Sequence, residues 1–285
     1  MKPAPVGYRR PQTVSEAVRE LAADPGAKVL AGGQSLIPLL SMRLAAPSTL
    51  VDINAIPGLD GIEVDDRGVR IGALARHAAV LASAEVRRVQ PLVSLALQNV
   101  AHATIRNRGT TVGSLVHADS AAEMPVVMLL LGGSVDVQGP AGRRTIDAPD
   151  LYVGPLESSV GHDEIAVSAF FPALGPGSGV GFTEIARRHG DYALVGAAAL
   201  VERTDGRETV RVGYLSAADL PTVVDLTGVP EGELGDAALA HLDPGEDIHA
   251  TAVYRAQLVR VLTRRVVRAA RAHAQERAHA EGGAR

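Results

Sequence analysis

Cysteine and tryptophan are absent from this 285-residue chain. Without cysteine there is no disulfide, no thiol nucleophile, no zinc thiolate and no iron–sulfur cluster carried on the chain itself. Aromatic residues make up 3%, five Tyr and three Phe, which is too few for a platform that stacks single-stranded nucleic acid. Lys2 and Lys28 are the only lysines, so no lysine follows a glycine loop and the phosphate-loop pattern is missing. Gly-x-Gly-x-x-Gly, Gly-x-Ser-x-Gly and His-Glu-x-x-His are missing as well. The longest apolar run, Met124 to Leu131, already contains Pro125, and nothing approaches the 18 residues of a membrane span. Met1 to Pro11 has no apolar signal-peptide core, so a cytoplasmic protein is expected. A formal charge of −4 offers no general attraction to nucleic acid or anionic membrane.

What is present suffices for a substantial core: 46% apolar and 21% charged residues exclude general disorder. The length suggests two domains, or two with a smaller third. Thirty Gly and 17 Pro point to short strands and many turns, an α+β chain rather than a helical bundle. Three lobes are expected, over residues 1–56, 57–174 and 175–285, with the Gly- and Pro-rich 175–179 as linker. The first reads as a small βαβ. Thr13 stands as N-cap three residues before Glu16, a helix ends at Pro25-Gly26, and strands follow at 28–31 and 49–53 around a helix over 36–44. In the second, strands are expected at 69–73, 135–138 and 165–171. Helical stripes run over 85–102, broken at Pro91, and over 121–131, and 110–116 reads as an extended segment. In the third, antiparallel strands at 181–186, 193–202 and 209–215 precede a long helix over 248–277. That helix has Tyr254, Leu258, Val261 and Leu262 on one face and an arginine patch, Arg255, Arg260, Arg264, Arg265, Arg268 and Arg271, facing either solvent or an acidic neighbour.

Two glycine turns hold the chemical information. The first, Ala31-Gly32-Gly33-Gln34-Ser35, lies between a strand and a helix. Glycine admits close backbone approach and positive φ, and the unpaired amides of a helix start favour an anion. Ser35 either caps that helix or donates to a phosphate oxygen; the turn by itself is equally a tight strand-to-helix connection. The second, Arg106-Asn107-Arg108-Gly109-Thr110-Thr111-Val112-Gly113-Ser114, offers the Thr110, Thr111 and Ser114 hydroxyls and the Gly113 amide to the other side of a diphosphate. Such charge-assisted bonds contribute about 1.5–3 kcal/mol each. Arg106 and Arg108 either join them or make structural ion pairs. His117-Ala118-Asp119 holds two potential ligands without partners, and no metal site is expected.

Taken in order, Lys28 to Pro38, Leu50 to Asn54, Ile71 to His77, Ile105 to Asp119 and Arg187 to Gly196 resemble the medium, FAD-binding subunit of molybdenum hydroxylases, the carbon monoxide dehydrogenase and xanthine dehydrogenase family. The resemblance covers nearly the whole chain. It implies a two-lobed FAD-binding module of the vanillyl-alcohol oxidase type followed by a C-terminal domain of the carbon monoxide dehydrogenase flavoprotein type. It implies non-covalent FAD held by Ala31, Gly32, Gly33, Gln34 and Ser35 and by Thr110, Thr111, Gly113, Ser114 and Asp119. Glu123 is expected at the ribityl or ribose hydroxyls and Tyr192 beside the isoalloxazine ring, with no acid or base assigned. It further implies a large partner subunit with the molybdenum cofactor, a small partner with two [2Fe-2S] clusters, and a dimer of heterotrimers. The chain would accept electrons from those clusters and pass them to an external acceptor. Two departures stand out: Val112 replaces a family glycine and Ser120 a common proline. If position 112 needs positive φ, a β-branched residue there weakens FAD binding, and Val112→Gly should tighten it. A free-standing flavin oxidoreductase and an assembly subunit that has lost the cofactor through Val112 are the remaining readings.

Overall fold

In the computed structural model of the chain, which describes residues 2–282, the first unit is built around a capped helix. Thr13 Oγ1 accepts the Glu16 amide at 3.1 Å and Glu16 Oε2 accepts the Gln12 amide at 2.8 Å. These bonds satisfy donors that the first helical turn leaves free. In chain order come β1 (Gly7–Arg9), α1 (Val14–Ala23), β2 (Lys28–Leu30), α2 (Leu36–Met42) and β3 (Thr49–Asp52), then a single 3₁₀ turn, Ile53–Ala55. The strands form a parallel sheet in the order β1-β3-β2. The sheet is therefore one strand larger than the expected βαβ; β1, short and bounded by prolines, carries too little apolar pattern to be read. Ala17, Val18 and Leu21 of α1 pack with Val51 and Ile53.

The second unit contains β4 (Ile62–Asp65), β5 (Gly68–Gly72), α3 (His77–Ala82), α4 (Ala84–Val89), α5 (Pro91–Leu97), α6 (Ala103–Arg106), α7 (Thr111–His117), α8 (Glu123–Leu131), β6 (Ser134–Gly139), β7 (Gly142–Asp147), α9 (Ala148–Leu151), β8 (Tyr152–Gly154), β9 (Glu157–Ser158) and β10 (Ile165–Pro172). Five of these strands form an antiparallel sheet ordered β4-β5-β10-β6-β7. Its inward positions, Val69, Ile71, Val135, Val137, Ala169 and Phe171, alternate along the strands and are buried beneath the helices. Pro91 does separate two helices, sitting at the first position of α5, where its missing N–H costs nothing. The extended reading of 110–116 is corrected: α7 occupies it. Two threonines and a valine favour strand by local propensity. Here Thr110 caps the helix, and the spacing of Val112 and Leu115 puts both side chains in the core.

The third unit is an antiparallel sheet, β11 (Gly179–Ala186), β12 (Ala193–Thr204), β13 (Arg207–Leu215) and β14 (Thr222–Asp225), in that order, with α10 (Leu234–Leu239) and α11 (Ala252–Gly282). α11 starts later than expected because Asp247 turns the chain. Its carboxylate accepts the His249 and Ala250 amides at 2.8 and 3.0 Å, and Thr251 Oγ1 then accepts the Tyr254 amide. The buried stripe runs Val259, Leu262, Val266, Val267, Ala270 and Ala274, while Tyr254 is exposed. Burying a Val or Leu of this kind contributes about 1.5–3 kcal/mol. The arginine patch is corrected at four of its six positions, while Arg265 faces solvent. Arg255 is buried and holds the Leu194 carbonyl and Asp247; Arg260, Arg268 and Arg271 pair with Asp236, Glu231 and Glu208. Sequence showed no acid between these arginines, but folding supplies acids from elsewhere. No helix among the described residues is long and apolar enough to cross a membrane.

α8 joins the second and third units. Apolar on every side, it packs against α5 and β10 and against β12 and β13, as a helix without a polar face must. Its N-terminus therefore lies where the two units meet.

Candidate functional site

The two glycine turns, about 75 residues apart in sequence, touch. A Cβ on Gly32 would lie 2.5 Å from the Arg108 carbonyl oxygen, 2.9 Å from Gly109 Cα and 3.1 Å from the Thr110 nitrogen. Gly33 has φ +72°, which glycine adopts without penalty. Gln34 donates from Nε2 to the Gly32 carbonyl at 3.1 Å. Ser35 stands at the N-cap of α2 without a side-chain bond to the helix, so its hydroxyl is left for another acceptor. Among the described residues no hydrogen bond engages the amides of Gly33, Gln34 or Ser35.

The second turn is anchored on the chain around residue 76. Arg76 and Thr110 form an antiparallel bridge, His77 N donates to the Gly109 carbonyl at 3.0 Å, and Thr111 N donates to Ala75 O. Thr110 Oγ1 accepts the Gly113 amide at 3.2 Å and so caps α7. Thr111 is fully buried and its hydroxyl meets His77 Nδ1 at 3.2 Å. Two donors expected to reach a phosphate, the Thr111 hydroxyl and the Gly113 amide, are thus committed inside the protein. Ser114 stays half-buried at the turn. Arg106 is structural, though through the Val100 and Ala101 carbonyls, at 2.8 and 2.7 Å, rather than an ion pair. Burial, with the Arg106 charge second, lowers the His77 imidazole to about 4, so at neutral pH it is an uncharged partner for Thr111.

Val112 needs no unusual backbone. It is helical, absent from the positive-φ residues, and 2% exposed within the core. The expectation that a valine here disturbs the turn is overturned: the side chain points away from it.

The third unit reaches the same region through the loop between β11 and β12. Gly190 has φ +86°, and a Cβ there would lie 2.6 Å from His102 Cε1, so only glycine lets the loop settle on the second unit. The next aromatic, Tyr192, is 64% exposed. Protein crowded around its hydroxyl, then the Asp119 carboxylate, push its phenol up to about 12. Asp119 Oδ1 accepts the Ala121 amide at 2.9 Å.

Beside Asp119 and Tyr192 lies a pair of acids. Burial, with Glu184 next, pushes the Glu123 carboxyl up to about 8. Burial likewise pushes Glu184, on β11, up to about 7, and its Oε2 is buried without a hydrogen-bond partner among the described residues. Glu184 was not foreseen. Its signal was available: it shares a strand face with Val180 and Phe182, both packed in the core, so an acid falls on an inward-facing register. Both carboxyls ordinarily titrate near 4.5, so between about pH 4.5 and 8 the folded chain keeps protons that the unfolded chain releases. Stability therefore falls as pH rises through that window. Glu184→Gln removes part of the loss. Discounted for its partial exposure, the gain is about 1–2 kcal/mol at pH 8 and close to nothing at pH 4, read by urea unfolding at the two pH values.

Residues 4–174 match the family model described as FAD binding domain in molybdopterin dehydrogenase. The chain belongs to this family. Over 281 residues it is 40% identical to the 6-hydroxypseudooxynicotine dehydrogenase complex subunit alpha of Paenarthrobacter nicotinovorans, covering 94% of this chain and 95% of that protein. Its fold superposes on carbon monoxide dehydrogenase of Hydrogenophaga pseudoflava with a TM-score of 0.90 at 30% identity, covering 96% and 99% of the two chains. With quinoline 2-oxidoreductase of Pseudomonas putida 86 the TM-score is 0.87 at 34% identity, covering 98% and 100%. The chain is accordingly an oxidoreductase flavoprotein subunit with FAD as its cofactor, and its relatives are named as subunits of larger complexes.

Proposed function

We propose that this flavoprotein subunit is the electron outlet of a three-component molybdenum hydroxylase. It would take electrons from [2Fe-2S] clusters on a small partner, fed by the molybdenum cofactor of a large partner, and release them to an external acceptor. The observation that carries the reading is the contact of the Gly32 turn with the backbone of Arg108 to Thr110, in a chain whose lack of cysteine leaves cluster ligation to another subunit. The lobes over 1–56 and 57–174 would form the vanillyl-alcohol oxidase-type FAD module and 175–285 the flavoprotein-subunit domain. A cytoplasmic dimer of heterotrimers follows from the same family likeness.

The residues present suit non-covalent FAD. Gly32 leaves room for backbone alone, and the amides of Gly33, Gln34 and Ser35 are unpaired at a helix start. These, with Ala31, would hold the diphosphate from one side, and Thr110 and Ser114 from the other, Gly113 and Thr111 steadying the turn through Thr110 Oγ1 and His77. Glu123, protonated at neutral pH, can donate as well as accept, which suits ribityl or ribose hydroxyls; Asp119 accepts beside it. Tyr192 offers an exposed ring to the isoalloxazine and no acid or base. Bound FAD supplies a carrier that links one-electron donors to a two-electron acceptor.

Purified alone, the chain is expected to show oxidised-flavin absorbance, with all flavin released by denaturation. Metal and acid-labile sulfide should appear only on co-expression with its partners. A folded chain that stays colourless in excess FAD refutes the reading, and full turnover without any partner would favour a free-standing oxidoreductase.

A further inference from the structure

Contact between two turns so far apart in sequence has to be held, and the holding groups lie outside both. Asn54, in the 3₁₀ turn after β3, donates from Nδ2 to the Ala31 carbonyl at 2.8 Å and to Asp52 Oδ1 at 2.6 Å. Its Oδ1 accepts Arg76 Nη2 at 2.7 Å, and Arg76 Nη1 donates to the Arg108 carbonyl at 2.7 Å. Asp52 is itself tied to β1 by the Tyr8 hydroxyl at 2.5 Å. One side chain from the first unit and one from the second thus span from the first glycine turn to the second, carbonyl to carbonyl. The planar guanidinium suits this, because it presents two donors in a fixed fork. No carboxylate pairs directly with Arg76 among the described residues; Asp52 and Asp60 act on it only through space, and the Arg108 cation is close. Two neighbouring cations without direct acid partners among the described residues favour an anion nearby.

We propose that Asn54 and Arg76 are positioning residues of the dinucleotide site, fixing the gap between the two glycine turns on which the grip on the FAD diphosphate depends. This rests on the reading that those turns hold the diphosphate.

The test is FAD titration of the purified chain, followed by flavin fluorescence, with thermal unfolding of the FAD-free chain alongside. Arg76→Met breaks both ends of the brace and is expected to weaken FAD binding by about tenfold to a hundredfold, with a smaller salt dependence of affinity. Arg76→Lys keeps the charge and reaches one oxygen rather than two, so it should recover part of that loss and covers the case in which the methionine variant does not fold. Asn54→Ala combined with Arg76→Met should bind no more weakly than Arg76→Met alone, since the two act as one unit. Lost thermal stability with unchanged FAD affinity in the folded fraction overturns the proposal, as do fully additive effects. If the wild-type chain itself fails to bind FAD, the diphosphate reading falls and takes the brace with it. If the wild type binds and Arg76→Met binds equally well, only the brace falls.

Discussion

Alanine at position 32 is expected to abolish measurable FAD binding, weakening it at least ~100-fold, because the added methyl group has nowhere to go. Its three nearest neighbours are backbone atoms, the Arg108 oxygen at 2.5 Å, Gly109 Cα at 2.9 Å and the Thr110 nitrogen at 3.1 Å. No rotamer change relieves a clash with backbone, so one turn must move. The second turn is pinned by the Arg76–Thr110 bridge, the His77 amide on the Gly109 carbonyl and the Arg76 guanidinium on the Arg108 carbonyl. The first is shorter and leads into a seven-residue helix, so it yields, and the amides of Gly33 to Ser35 swing away. Overpacking of this kind costs about 1–3 kcal/mol of stability, which leaves a folded chain in which to measure affinity. Gly33→Ala makes the comparison. Its Cβ meets only side chains, Leu30 Cδ1 at 3.1 Å and Ile37 Cγ1 at 3.2 Å, at φ +72°. The left-handed backbone costs about 1–2 kcal/mol but the turns stay in contact. Fluorescence titration should therefore rank wild type, Gly33→Ala and Gly32→Ala in falling affinity. Equal affinity of Gly32→Ala and wild type would show that the two turns do not act together on the cofactor.

What could be read in advance follows from where the information lies. Local signals were legible: the Thr13 cap, the helix break at Pro91, and the strands 193–202 and 209–215, which the structure extends to Ala193–Thr204 and Arg207–Leu215. Two glycine turns with hydroxyls were visible as short motifs, and their order along the chain was enough to place the family. Relations between distant segments were not legible. No local pattern says that Asn54 and Arg76 meet, that Glu184 of β11 lies near Glu123 of α8, or that Asp236, Glu231 and Glu208 neutralise arginines of α11. The hydroxyls of the second turn show the same limit on a smaller scale. Thr110, Thr111 and Ser114 are chemically alike in sequence, yet one caps a helix, one meets a buried histidine and one remains at the turn. Only the helical phase of α7, invisible while 110–116 read as extended, tells them apart.

That phase reverses the expectation for position 112. Val112→Gly should lower stability by about 3–4 kcal/mol, combining the lost burial of a valine side chain with about 1 kcal/mol for glycine inside a helix. Val112 lies in one core with Leu97, Leu115 and Met128, where a vacated volume is filled only in part by relaxation. Affinity should move the same way. Glycine loosens the first turn of α7, between the Thr110 cap and Ser114, so FAD binding by the folded fraction falls rather than tightens. Val112→Ala separates the causes: it removes the side chain but keeps helix propensity, and should lose about 1 kcal/mol less than the glycine variant with nearly unchanged FAD affinity. Urea unfolding and flavin titration on the three proteins measure both quantities. Tighter binding by Val112→Gly would mean that the backbone at 112 leaves the helix when the cofactor is held; a loss graded valine, alanine, glycine means that the valine is core.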